Sequence, residues 1–231
     1  PDPGTYSIII TATDEDFDVE SQLEIFFDVP VLAQPEVTLP SENIYVDSFD
    51  PTNTSVEVHN RGNGAQTYDI QLLSPAGWDV GLLDLGPFQG SRQGSTGTLI
   101  KDGSITARIG ITPPGVMLEA GTVFFAQMLV MSRVSSEVWT YDLPLVINPI
   151  DSVEFTPASG GSQGGVPADS LHEMSLQISN QGNRELVLTP IERSLPGGWS
   201  IQGGLDKVTV PRGSSIEWAF SIQGNGLAAS G

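Results

Sequence analysis

Apolar and polar side chains alternate along Thr54 to His59, and the same two-residue period runs through Thr67 to Leu73, Ser104 to Thr112, Thr122 to Ser132 and Glu137 to Val146. A period of two sends successive side chains to opposite faces of an extended chain, so each run predicts a half-buried β-strand. Shorter runs at Glu36 to Leu39, Trp78 to Leu82 and Gly97 to Ile100 complete the series. Turn signals fall between them at intervals of roughly 8 to 12 residues, and no segment sustains a helical period, which together indicate a sandwich or barrel of short strands.

The pattern repeats. Val56-Glu57-Val58-His59-Asn60-Arg61-Gly62-Asn63 recurs as Leu176-Gln177-Ile178-Ser179-Asn180-Gln181-Gly182-Asn183, an offset of 120. Pro75-Ala76-Gly77-Trp78 recurs as Pro196-Gly197-Gly198-Trp199, with the tryptophans 121 apart, and the strand opening at Gly103-Ser104 is matched to one opening at Gly213-Ser214. Pro3-Gly4-Thr5-Tyr6 resembles Ala120-Gly121-Thr122-Val123, and both lead through a polar hairpin into a closing strand, Leu23 to Val29 and Trp139 to Ile147. A period of this size makes each copy a module.

Three parts follow: residues 1–29 as the last hairpin of a first module, 30–148 as a complete module, and 149–231 as a third module without its last hairpin. The fold expected is all-β, a tandem of immunoglobulin-like antiparallel β-sandwiches. The junctions Val29-Pro30-Val31 and Ile147-Asn148-Pro149-Ile150 carry Pro rather than Gly/Ser tracts, so neighbouring modules are expected to be stiffly coupled.

Composition narrows the chemistry. The 231 residues include 26 Gly and 17 Pro, too many breakers for long helices, and no Cys, which removes disulfides, thiolate zinc sites and thiol nucleophiles. A formal charge of −19 repels nucleic acid and anionic membranes, so neither is an expected partner. No apolar run reaches the ~18 residues of a membrane-spanning helix. The start, Pro1-Asp2-Pro3-Gly4, has neither an initiator Met nor a signal peptide, which suggests a piece of a longer chain.

A strand ending in Asn-x-Gly-Asn, then Pro-x-Gly-Trp, then a strand begun by Gly-Ser and running to Thr112-Pro113-Pro114, then Ala-Gly-Thr and a long strand, resembles two families of immunoglobulin-like module. These are the CARDB-type cell-adhesion-related domains and the domains associated with alpha-galactosidases, from bacteria and archaea. The resemblance spans the middle module fully and its neighbours in part; the third module has Ile222-Gln223-Gly224-Asn225 where the middle one has Thr-Pro-Pro. It implies an extracellular spacer or adhesion module of a large surface protein and supplies no catalytic residues.

Candidate sites are few. Asn60, Gly62, Asn180 and Gly182 read as turn residues, since Asn and Gly tolerate the positive φ of a tight hairpin. Trp78 and Trp199, recurring in phase with the strands, read as buried anchors; if exposed they would be sugar-stacking platforms, with Tyr68, Phe88 and Trp139 as companions. His59 and His172 occupy different places in the repeat, so neither reads as a catalytic base. Gly160 to Gly165 lacks the Lys-Ser/Thr ending of a phosphate loop and reads as a flexible connection. Asp14, Asp16 and Asp18 gather hard oxygens on one hairpin tip, with Asp47, Asp50 and Asn53 on another loop, which makes calcium the candidate cofactor. Asn53-Thr54-Ser55 is a glycosylation sequon in an expected loop.

The expected function is therefore structural or adhesive and non-enzymatic: a repeat region of a large extracellular surface protein, such as a rod, sheath, S-layer or filament component. The alternative is a carbohydrate-binding or spacer module on a secreted hydrolase, with surface glycans as ligands. Expected partners are neighbouring modules of the same or an identical chain. A third module without its hairpin is completed either by the continuation of the chain or by residues 1–29 of another copy.

Overall fold

The computed structural model describes residues 1–14, 16, 19–158, 169–191, 195 and 197–224. The chain is all-β, and its described residues separate into two units: 1–116 with 123–146, and 117–122 with the residues from 147 onward.

The first unit opens with an antiparallel hairpin, β1 (Gly4–Asp14) and β2 (Val19–Val29). There follow β3 (Pro35–Thr38), β4 (Ile44–Val46), β5 (Thr52–Asn60), β6 (Gln66–Leu73), β7 (Asp79–Leu82), β8 (Gln93–Leu99), β9 (Ser104–Thr112), β10 (Val123–Ser132) and β11 (Val138–Ile147). They form a four-stranded sheet ordered β3-β5-β9-β7 and a five-stranded sheet ordered β4-β11-β10-β6-β8. The alternation read from the sequence fixes what each contributes. Val56, Val58, Val80, Ile109 and Ile111 are buried from the first sheet, and Tyr68, Ile70, Leu72, Met128, Val130, Leu143 and Leu145 from the second. Two sheets each burying one face against a shared core make a β-sandwich.

Sequence periodicity missed β4, whose three residues are too few to show a period, although Ile44 and Val46 are both buried. It also placed Asn53 in a loop. Asn53 instead lies within β5, opposite Gly110, with its side chain exposed.

The second unit holds β12 (Val153–Pro157), β13 (Leu171–Asn180), β14 (Leu186–Leu188), β15 (Trp199–Gln202), β16 (Val208–Val210) and β17 (Ser215–Gly224). One sheet is ordered β12-β13-β17-β15, matching β3-β5-β9-β7 strand for strand; the other, among the described residues, is β14-β16 alone, matching β6-β8. Register makes the match residue by residue. Val58 faces Ile105 as Ile178 faces Ile216, and Val80 faces Ile111 as Ile201 faces Ile222.

This register corrects one alignment. The shared glycines align Gly103 with Gly213, but His59 faces Ser104 while Ser179 faces Ser215, which makes Asp102 the counterpart of Gly213. Both occupy the left-handed region, at φ 62° and 63°. The conformation is kept while the residue differs, because Asp tolerates that region better than most non-glycine residues.

Candidate functional site

Asn60 ends β5 and is fully buried. Its Oδ1 accepts the Gly62 N–H at 3.1 Å and the Tyr68 hydroxyl at 2.9 Å, while its Nδ2 donates to the carbonyls of Gly64 at 2.8 Å and Leu99 at 3.1 Å. One side chain thus closes its own turn and ties it to β8 and to the core. Asn180 repeats the arrangement: Oδ1 accepts from Gly182, and Nδ2 donates to Arg184 and Val210 at 2.8 and 3.0 Å. Leu188 stands where Tyr68 does, so the hydroxyl bond belongs to the first unit only.

The second asparagine of each turn grips a different segment. Asn63 Oδ1 accepts the Leu32 N–H at 2.7 Å and its Nδ2 donates to the Pro30 carbonyl at 2.9 Å. Asn183 makes the same pair with Ile150 N–H at 2.7 Å and Asn148 carbonyl at 2.8 Å. Each side chain satisfies two backbone groups of the segment that enters the following four-stranded sheet, at β3 or β12, which a connecting stretch without strand partners would otherwise present to water. Between the two asparagines, glycine is required for closeness rather than for a special φ. A Cβ on Gly62 would lie 2.2 Å from the Leu32 carbonyl oxygen, and one on Gly182 would lie 2.3 Å from that of Ile150. The turn reading of Asn60, Gly62, Asn180 and Gly182 therefore needs enlarging: the turn is a clasp.

Further matched pairs surround each clasp. Lys101 Nζ bonds Asp2 at 2.9 Å in the first unit, and Arg212 lies 3.6 Å from Glu119 in the second. Arg61 bonds Glu36 at 2.6 Å where Gln181 bonds Glu154 at 2.6 Å. The Lys101 ammonium holds the Asp2 carboxyl below its ordinary pKa, and Arg61 does the same to Glu36. Sequence reading did not single out Asn63, Asn183, Lys101 or Arg212. The asparagines lay within its repeat, but their partners, some thirty residues away, left no local signal.

The other candidates separate. Trp78 is 4% exposed, its ring 5.2 Å from that of Phe124, whereas Trp199 is half-buried. Of the aromatics considered for sugar stacking, Tyr68 and Trp78 are buried, Trp139 is half-buried and Phe88 is exposed, so they form no platform. Asp14 is the last residue of β1, Asp16 is exposed beyond it, and Asp18 lies outside the described residues. Among the described residues there is no group of three or more His, Cys, Asp or Glu placed to hold a metal ion. Gly160 to Gly165 also lies outside the described residues. His172 Nε2 and Ser170 Oγ are 2.6 Å apart, and His59 is 3.4 Å from Glu57.

The second unit also has an opening. A groove of about 320 Å³ is lined by Phe155, Ile178, Leu188, Ile201, Val208 and Trp218. Of the side chains lining it, Ile201 and Trp218 are half-buried where their counterparts Val80 and Ala107 are 0% exposed; on the same sheet, outside the groove lining, Leu176, Phe220 and Ile222 are half-buried where Val56, Ile109 and Ile111 are at most 1% exposed.

No family model matches this chain. No curated protein matches it either. Among solved structures, a protein of unknown function from Porphyromonas gingivalis aligns at TM-score 0.36 and 11% identity, over 81% of this chain and 83% of that one. The E. coli chaperone DraB aligns at 0.31 and 13%, over 79% and 84%, and the YadV chaperone at 0.34 and 12%, over 85% and 88%. At TM-scores below 0.5 these likenesses bear on neither activity nor partner. Among the described residues no helix is long and apolar enough to cross a membrane, which says nothing of a β-barrel.

Proposed function

We propose that this chain is a stretch of tandem immunoglobulin-like modules with a structural or adhesive role at a cell surface, and that it is not an enzyme. The strand orders β3-β5-β9-β7 and β4-β11-β10-β6-β8 support the immunoglobulin-like reading, being those of two antiparallel sheets joined by crossing connections. The observation that carries the function is the repeated clasp. Asn63 and Asn183 hold their entering segments by the same two hydrogen bonds to within 0.1 Å, and each lies beside an equivalent acid–base pair. A device copied from module to module and spent on the connecting segment suits an array whose work is to span a distance, because what recurs is the joint and not a pocket.

The charge of −19 keeps such an array soluble and apart from nucleic acid. Antibodies raised against residues 30–148 test the placement: they are expected to label intact, unpermeabilised cells. Labelling only after permeabilisation overturns it.

A further inference from the structure

We infer that the loop joining β7 to β8 forms one wall of a groove in the first unit that binds a neutral oligosaccharide. The inference goes beyond the array proposed above: it concerns a feature that the second unit does not repeat, and its test does not depend on where the chain resides.

The loop is an elaboration of one unit. Residues 83–92 join β7 to β8, whereas 203–207 suffice between the matching strands β15 and β16. The longer loop is held by its backbone. Leu83 N–H donates to the Arg108 carbonyl at 2.8 Å, Gly90 N–H to the Leu82 carbonyl at 2.7 Å, Leu82 N–H to the Ser91 carbonyl at 2.7 Å, and Ser95 N–H to the Leu85 carbonyl at 3.1 Å. It also sits so close on β7 that a Cβ on Gly81 would lie 2.4 Å from the Gly90 carbonyl oxygen. Gln202 takes the matching place in β15, so this glycine and the long loop go together in the first unit.

What the loop displays is a ring. The turn from Phe88 to Ser91 is closed by the Ser91 N–H on the Phe88 carbonyl at 3.1 Å, with Gly90 at φ 83°, and it leaves Phe88 69% exposed. A side chain so open contributes little to the core, yet its backbone is fixed on both sides. Against it lies a groove of about 560 Å³, lined also by Gln71, Leu73, Ser74, Arg92 and Gln93. Gln71 and Gln93 stand directly opposite each other on β6 and β8, and among the described residues neither side-chain amide bonds to protein. Arg92 donates to Asp79 at 3.1 Å, so the guanidinium carries its own counter-charge.

That combination matches a sugar. A pyranose has a face of C–H bonds, which an aromatic ring covers, and a rim of hydroxyls that both donate and accept, as side-chain amides do. The groove has the size of a small-ligand site, with a few polar groups beside apolar surface. Pairing of Arg92 with Asp79 leaves no local excess charge to attract an anion, and the −19 of the whole chain repels one, so the saccharide is neutral and not acidic. A protein partner needs several large anchors clustered over a broader patch, which one ring beside two glutamines does not supply.

The test is titration of the intact chain with cellohexaose and mannohexaose, and with trigalacturonate as the acidic comparison, read by calorimetry and by NMR at the side-chain amides of Gln71 and Gln93. At least one neutral probe is expected to bind and shift both amides, with the acidic probe weaker by about 10-fold or more. Phe88→Ala, and separately Gln71→Ala with Gln93→Ala, should each weaken binding by about 10-fold or more, and Phe88→Ala should do so with its melting temperature unchanged. Tyr45→Ala removes another exposed ring, on β4 at the opposite edge of the same sheet, and should leave binding as it was. The inference is overturned if neither neutral probe binds at millimolar concentration, if the acidic probe binds equally well, if the shifted amides lie elsewhere, or if Phe88→Ala loses no more than Tyr45→Ala.

Discussion

The Tyr68 hydroxyl donates to Asn60 Oδ1 at 2.9 Å, joining the turn that clasps the entering segment to a side chain at the centre of the sandwich. Burial pushes the Tyr68 phenol above its ordinary pKa. A group whose pKa is higher folded than unfolded contributes its full stability below the unfolded value, near 10, and loses it as pH rises beyond. The first unit is therefore expected to lose stability above about pH 10, and Tyr68→Phe to flatten that loss. Urea midpoints measured from pH 7 to 11 check it; an unchanged pH profile in Tyr68→Phe would show that other groups carry the effect.

Asn60→Ala removes the partner of several buried backbone groups at once, including the Gly64 and Leu99 carbonyls. With each unsatisfied buried group costing on the order of 1–3 kcal/mol, the expected loss is about 3 kcal/mol, larger than that for Tyr68→Phe. Chemical unfolding compares the two, and a Tyr68→Phe loss equal to that of Asn60→Ala would place the main role in the hydroxyl.

Gly62→Ala and Gly182→Ala put a Cβ within 2.2 and 2.3 Å of a backbone oxygen on the clasped segment. Backbone cannot swing aside as a side-chain tip can, so each variant should open its clasp. Hydrogen exchange at the Leu32 and Ile150 amides is the readout, with protection expected to fall about 10-fold or more as those bonds open. Asn63→Ala and Asn183→Ala should reproduce it, and unchanged protection in all four would remove the clasp.

Gln66 is 1% exposed, and among the described residues neither its Nε2 nor its Oε1 has a hydrogen-bond partner. Its counterpart in the second unit is Leu186. Gln66→Leu is expected to stabilise the first unit by about 1–2 kcal/mol, since it removes buried polar atoms without opening a cavity. A lower melting temperature in that variant would contradict this.

Trp78→Ala empties a buried site against Phe124 and should cost about 3–5 kcal/mol. Trp199→Ala, at a half-buried position, should cost less. Thermal unfolding of the two variants decides the order.

The sequence by itself determined the longer strands and which of their faces is apolar, because a period of two is written locally and needs no partner to be read, whereas three-residue β4 is too short to show it. It also determined the repeat, down to Asn60 and Asn180, because copies of one device share their residues. It did not determine what those residues hold. Asn60 reaches Leu99 and Asn63 reaches Pro30, contacts between positions tens of residues apart that leave no mark in either local pattern. The one-residue slip that pairs Asp102 with Gly213 has a related cause: the backbone keeps the left-handed conformation while the residue changes, so identity of glycines does not mark equivalent positions. Only the tertiary structure decided which edge each strand joins. It thereby left Leu176, Ile201, Phe220 and Ile222 half-open where the first unit buries their counterparts, since an alternating strand specifies that one face wants covering but not what will cover it.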